Sequence, residues 1–168
     1  MSTTPQGVRM RPIEPRDDAT VAAIIRETLG EFGCSGPGFA HADAEVDAMH
    51  AAYQGGDRGY YVVEIDGEVL GCGGFAPLLG QTDRGRVAEV RKMYFRPALR
   101  GKGAGRMLLT RILRDMRAAG FDEAYLETTT QMEAARALYR AFGFQEMAAP
   151  CGATGHHGCD RFFRLRLP

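Results

Sequence analysis

The feature that most restricts this chain is the turn Arg100-Gly101-Lys102-Gly103-Ala104-Gly105-Arg106, set between a β-rich run and an amphipathic helix pattern. The first N–H groups of a helix have no partners within it, and the helix dipole adds partial positive charge there. Glycines let the backbone take positive φ and come close to a ligand. A strand, a glycine turn and a helix start in that order make an anion trap, to which Arg100, Lys102 and Arg106 add full charges. The expected ligand is a pyrophosphate.

Charge is distributed accordingly. The chain is neutral overall, with 21 Lys/Arg and 21 Asp/Glu. Residues 84–117, however, hold 11 Lys/Arg against 2 Asp/Glu, while residues 1–83 hold 5 against 13. A local basic block in a neutral protein suggests one anionic ligand bound at one place. A solvated basic helix face is the alternative on charge alone. A nucleic acid is not an expected partner, because the block has few stacking aromatics beyond Tyr94 and Phe95.

The length of 168 residues suits one domain spanning 1–168, and 45% apolar residues are enough to build a core. No run approaches the roughly 18 apolar residues of a membrane span, and residues 1–7 lack the basic-then-apolar order of a signal peptide. A cytoplasmic protein without a membrane partner is expected. The four cysteines, Cys34, Cys72, Cys151 and Cys159, lie far apart and read as isolated thiols.

Periodicity divides the chain into a strand at residues 8–13 and a helix capped by Asp17 or Asp18 that presents Val21, Ile24, Ile25, Thr28 and Phe32. A loop at 33–42 and a short helix at 43–53 follow. Runs at 60–65 and 69–77 flank Asp66-Gly67-Glu68, a hairpin signal. With a polar turn at 81–86 and a strand at 87–95 they complete an antiparallel meander. Beyond the glycine turn, Leu108, Leu109, Ile112, Leu113 and Met116 make the stripe of a helix over 104–119, stopped by Gly120. A strand at 123–130 leads to Thr130-Gln131-Met132-Glu133, a capping-box pattern opening another helix. That helix carries Ala135, Leu138, Tyr139 and Phe142 and stops at Gly143. Strands are expected near 144–148 and 161–167. The fold class is α+β: a mixed, mostly antiparallel sheet flanked by helices, with one βαβ crossover.

Other pyrophosphate motifs do not fit. A dinucleotide fold wants Gly-x-Gly-x-x-Gly after the first strand, and a P-loop wants Gly-x-x-x-x-Gly-Lys-Ser/Thr. An ordinary glycine turn capping a helix remains the plain alternative. Arg100-x-x-Gly103-x-Gly105, between a strand and an amphipathic helix, resembles the acetyl-CoA signature of the GNAT N-acetyltransferases. Ala135-x-x-Leu138-Tyr139-x-x-x-Gly143-Phe144 resembles the later helix of that family, and the two elements stand in its order.

The resemblance implies a GNAT-like fold, acetyl-CoA as co-substrate and an amine as acceptor. Backbone N–H groups of Arg100, Gly101, Lys102, Gly103, Ala104, Gly105 and Arg106 would hold the pyrophosphate. Met93, Tyr94 and Phe95 would pair with the pantetheine arm, and the Met93 N–H would face the thioester oxygen. Glu89 stands where relatives that acetylate histones carry a general base, and Tyr139 where many relatives keep a general acid. Residues 89, 91 and 93 of a regular strand share one face. Arg91, on that face, and Glu127 are candidate acceptor contacts. A Glu89–Arg91 ion pair and a packing role for Tyr139 are the structural alternatives.

Where many relatives have Asn, this chain has Met132, so a pantetheine contact must come from elsewhere, for instance Thr130 or Gln131. The segment 151–160 contains Cys151, His156, His157, Cys159 and Asp160 without a paired zinc spacing, so no metal is expected. A loop shaping the acceptor pocket is the favoured reading of it. An acyl-CoA-binding module without turnover is the alternative function, and a homodimer is expected by analogy alone.

Overall fold

The structure, a computed structural model, describes residues 7–80 and 85–168, apart from the side chain of residue 41. Most of the expected turn at 81–86 therefore lies outside the described residues. Seven strands form one sheet: β1 (Val8–Pro12), β2 (Gly59–Ile65), β3 (Glu68–Pro77), β4 (Val87–Phe95), β5 (Glu123–Thr128), β6 (Gln145–Met147) and β7 (Arg161–Arg166). Their spatial order is β1-β2-β3-β4-β5-β7-β6. β4 and β5 are parallel, and every other neighbouring pair is antiparallel. The expected α+β class and its single crossover are both present.

Helices α1 (Asp18–Glu31), α2 (Met49–Ala52), α3 (Ala104–Ala118) and α4 (Glu133–Ala141) complete the fold. The expected helix over 43–53 is one 3-10 turn, Ala44–Ala48, running into α2, and a further 3-10 turn, Ala40–Ala42, ends the expected loop at 33–42. The α3 stripe of Leu108, Leu109, Ile112, Leu113 and Met116 is buried with Val63, Phe75, Ala88 and Val90 from one sheet face. Burying each such side chain contributes about 1.5–3 kcal/mol. The other face packs Val62, Cys72 and Ala76 against Val21, Ile24 and Ile25 of α1.

Two expected caps are not made. Asp17 precedes α1 without a side-chain cap bond; it accepts instead from Arg11 Nη1 at 2.7 Å and from the Glu14 N–H. The Thr130 hydroxyl donates to Asp160 at 2.7 Å, so Met132 is the residue before α4 and no capping box forms.

Candidate active site

β4 and β5 run side by side only from Val87↔Glu123 to Glu89↔Tyr125. β4 continues to Phe95 and β5 to Thr128 without further pairing to each other. The backbone of residues 91–95 thus has β3 on one side and a cleft on the other. α3 must start where β4 ends, which brings the glycine turn to the mouth of the same cleft.

Gly103 sits before α3 at φ 75°, in the left-handed region where a side chain is strained. A Cβ on Gly105 would lie 3.0 Å from Leu138 Cδ2, so a side chain here would press on the leucine that α4 turns toward α3. Between them runs a groove of about 520 Å³, lined among others by Met93, Tyr94, Phe95, Gly101, Gly103 and Gln131. Lys102 is exposed. The Arg106 guanidinium lies 5.5 Å from the Phe142 ring centroid. Arg100 folds back on α1: it pairs with Glu31 at 2.5 Å, donates to the Phe95 carbonyl at 3.0 Å and stacks on Phe32. Of the two residues offered in place of the missing Asn, Gln131 lines the groove, while Thr130 is tied to Asp160.

One expectation of geometry is overturned. β4 carries a bulge: Cys72 pairs with Tyr94 and Gly74 with Arg91, so Lys92 and Met93 together face the single Gly73. Lys92 has φ 48°. The extra residue reverses the alternation, so residues 89, 91 and 93 do not share a face. The Met93 side chain turns toward α3 and Leu108, while Lys92 joins Glu89 and Arg91 on the opposite side. Lys92 is buried to 1% side-chain exposure, and its ammonium lies 2.7 Å from Asp43 and 2.9 Å from Glu45. Its carbonyl accepts from the Tyr60 hydroxyl at 2.7 Å. Together these contacts hold an uncommon backbone conformation in place.

The groove continues into a smaller cavity of about 50 Å³, and Met93, Tyr94, Met132 and Ala135 line both. This cavity concentrates charge. Glu89 is buried and accepts from Arg91 Nε at 2.7 Å; Arg91 also donates to the Pro77 carbonyl. Burial raises the Glu89 carboxyl above the usual carboxylate range, and Arg91 opposes it without cancelling it. Glu127, reaching in from β5, accepts from the Tyr125 hydroxyl at 2.6 Å and from the Thr154 hydroxyl.

Tyr139 is buried beside Phe144 and Phe163. Its ring reaches the cavity, and burial pushes its hydroxyl upward from the ordinary tyrosine range. Among the described residues no side chain hydrogen-bonds that hydroxyl. Met132 is buried and accepts a hydrogen bond from Thr128 through its sulfur at 3.5 Å.

Sequence reasoning left His156 without a role. The loop after β6 folds back over the cavity, where Gly158 N–H donates to the Gly38 carbonyl at 3.0 Å. His156 Nε2 lies 2.9 Å from Asp43 Oδ2. Burial lowers the imidazole and Asp43 raises it, with the balance above its ordinary value. Glu89, Glu127 and His156 each bring a ligand-type atom within 4.8 Å of the others, which is close enough to hold a cation. The only signal in the sequence was a histidine in a glycine-rich segment otherwise read as a loop.

Comparison with known proteins places these features in context. The Acetyltransferase (GNAT) family profile matches residues 23–144. The uncharacterized N-acetyltransferase YjgM of Escherichia coli K12 is 38% identical over 157 residues, covering 93% of each chain. A GNAT family acetyltransferase of Staphylococcus aureus Mu50 superposes with a TM-score of 0.83 at 16% identity, covering 96% of this chain and 99% of that one. A GNAT superfamily phosphinothricin acetyltransferase of Sinorhizobium meliloti, solved in complex with acetyl-CoA, gives 0.76 at 22%, covering 96% and 89%.

Proposed function

The chain belongs to the acetyltransferase (GNAT) family, and on that premise we propose that it moves the acetyl group of acetyl-CoA to a primary amine by direct attack on the thioester. One observation carries this reading: a groove at the glycine turn opens, at Met93 and Tyr94, into a small charged cavity. The groove suits a long phosphorylated donor and the cavity suits the tip of an amine.

In this reading the N–H groups of the turn at 100–106 hold the pyrophosphate, and the cleft edge of residues 93–95 pairs with the pantetheine arm. The Met93 N–H faces the thioester oxygen as negative charge develops there. An ammonium entering the cavity meets Glu89 and Glu127 and loses one proton through a water to Glu89. The neutral amine attacks, and a C–N bond forms as the carbonyl π bond opens. Collapse restores the carbonyl and breaks the C–S bond. The thiolate takes the Tyr139 hydroxyl proton, and the second nitrogen proton returns to Tyr139 through water. The high proton affinity of Tyr139 in its buried setting suits a donor that stays protonated until thiolate appears.

The test is CoA thiol release with a panel of L-amino acids, alkyl diamines and lysine-containing peptides. Release above the no-amine rate with at least one of them, with mass spectrometry showing one added acetyl, supports the proposal. A protein that binds acetyl-CoA yet releases no thiol with any of them is instead a binding module.

A further inference from the structure

The mechanism above leaves the amine proton on Glu89, beside a guanidinium whose Nε is 2.7 Å away. Glu89 must give it up again before the next amine can be deprotonated. We propose that His156, oriented by Asp43, is the terminal acceptor of that proton, reached through Glu89 and intervening water. The inference rests on the amine-transfer reading and deepens it. His156 acts through Glu89, so it positions and relays rather than touching the amine.

The geometry is that of a histidine backed by a carboxylate. His156 Nε2 lies 2.9 Å from Asp43 Oδ2 and 3.1 Å from Oδ1. Asp43 is itself fixed by the Lys92 ammonium at 2.7 Å, which is also held by Glu45 at 2.9 Å. Lys92 Nζ can only donate, so Asp43 stays an acceptor and receives the Nε2 proton. The other ring nitrogen is then left with a lone pair. A carboxylate in this place sets the tautomer and stabilises the imidazolium once it forms.

The surroundings favour one added proton at this point. From β4 the ring faces Glu89, Arg91 and Lys92; from β5, Glu127; from the early loop, Asp43 and Glu45. Four carboxylates stand against two cations, so an imidazolium relieves the excess negative charge. The Cys159 thiol, which lines the same cavity, does not compete for the proton, because burial pushes it up to about 12. The net upward displacement of His156 points the same way.

When the amine gives up its proton, an N–H bond breaks. A proton passes from Glu89 onward, and an N–H bond forms on the imidazole. Solvent takes that proton after product leaves. Turnover then requires His156 to be neutral at the start, and kcat/KM falls as pH drops through its raised value.

The experiment is a pH profile of kcat/KM from 5.5 to 9, using whichever panel amine gives the fastest thiol release. It compares wild type, His156→Gln and Asp43→Asn, with acetyl-CoA affinity and thermal midpoint measured alongside. The inference expects His156→Gln to lose about 100-fold in kcat/KM at neutral pH, with the acidic limb removed. Asp43→Asn should move that limb to lower pH, because the imidazole loses the carboxylate that raises it. His156→Ala should recover part of its rate in free imidazole, which separates a lost proton acceptor from a damaged fold.

A His156→Gln enzyme that keeps its rate and limb overturns the inference while leaving amine transfer intact. So does an Asp43→Asn limb that does not move. A wild type that binds acetyl-CoA but acetylates no amine overturns the amine-transfer reading first and the inference with it. Activity lost to a chelator and restored by a divalent cation would reassign Glu89, Glu127 and His156 as metal ligands, and would equally overturn it.

Discussion

The groove beside α3 and the cavity beneath the two loops share Met93 and Tyr94 but are made of different materials. The groove is backbone and apolar surface: Gly101, Gly103, Phe95 and Leu138, with its nearest fixed guanidinium, Arg100, folded onto Glu31. The cavity gathers Glu89, Arg91, Lys92, Glu127 and His156, and ties together segments more than 100 residues apart through Asp43 and His156. A site made from backbone N–H groups needs only the right turn. A site that handles protons needs charged side chains whose affinities are set by one another. The two halves should therefore fail differently when altered.

The largest effect is expected from Lys92→Met. It removes the cation that Asp43 and Glu45 share in a largely buried setting, and breaking such a group typically costs about 3–5 kcal/mol. The thermal midpoint should fall by about 2–4 °C for each kcal/mol lost. An unchanged midpoint would mean that the cavity is not organised by this lysine.

Tyr139→Phe comes next. It should lower kcat by about 100-fold while stability changes by less than about 1 kcal/mol, because the hydroxyl has no hydrogen-bond partner among the described residues to lose. Unfolding without it would make Tyr139 a packing residue and shift it out of the reacting group.

A smaller, pH-dependent difference should separate the halves. The imidazole of His156 is raised when folded, so its pairing with Asp43 stabilises fully below the unfolded histidine value. That contribution is lost as pH rises through the raised one. The stability gap between wild type and His156→Gln should therefore be wider at pH 5.5 than at pH 9. A gap of the opposite slope would place the proton elsewhere. The smallest effect belongs to Glu31→Gln on the groove side, where an exposed pair with Arg100 should be worth less than about 1 kcal/mol.

Legibility followed the same division. Strand β4 and helix α3 have the bounds expected to within one residue, since each is specified by its own periodicity and by the glycines between them. The bulge was barely legible: in Val-Arg-Lys-Met-Tyr the adjacent Arg91 and Lys92 break the alternation of a regular strand, but nothing local marks Lys92 for positive φ. What holds it is Asp43, Glu45 and the Tyr60 hydroxyl, all distant in sequence. The capping box at Thr130 failed for the same kind of reason, because Asp160, 30 residues on, takes the hydroxyl. His156 became meaningful only once the loop after β6 was folded over β4 and β5.

Calorimetric titration of acetyl-CoA into wild type, Gly103→Val and His156→Gln tests this division most directly. A valine at φ 75° strains the turn and puts a side chain where the phosphate would approach. Gly103→Val should thus weaken binding by at least about tenfold, or 1.4 kcal/mol, while His156→Gln binds as tightly as wild type. Equal weakening by both variants, or none by Gly103→Val, would contradict the account.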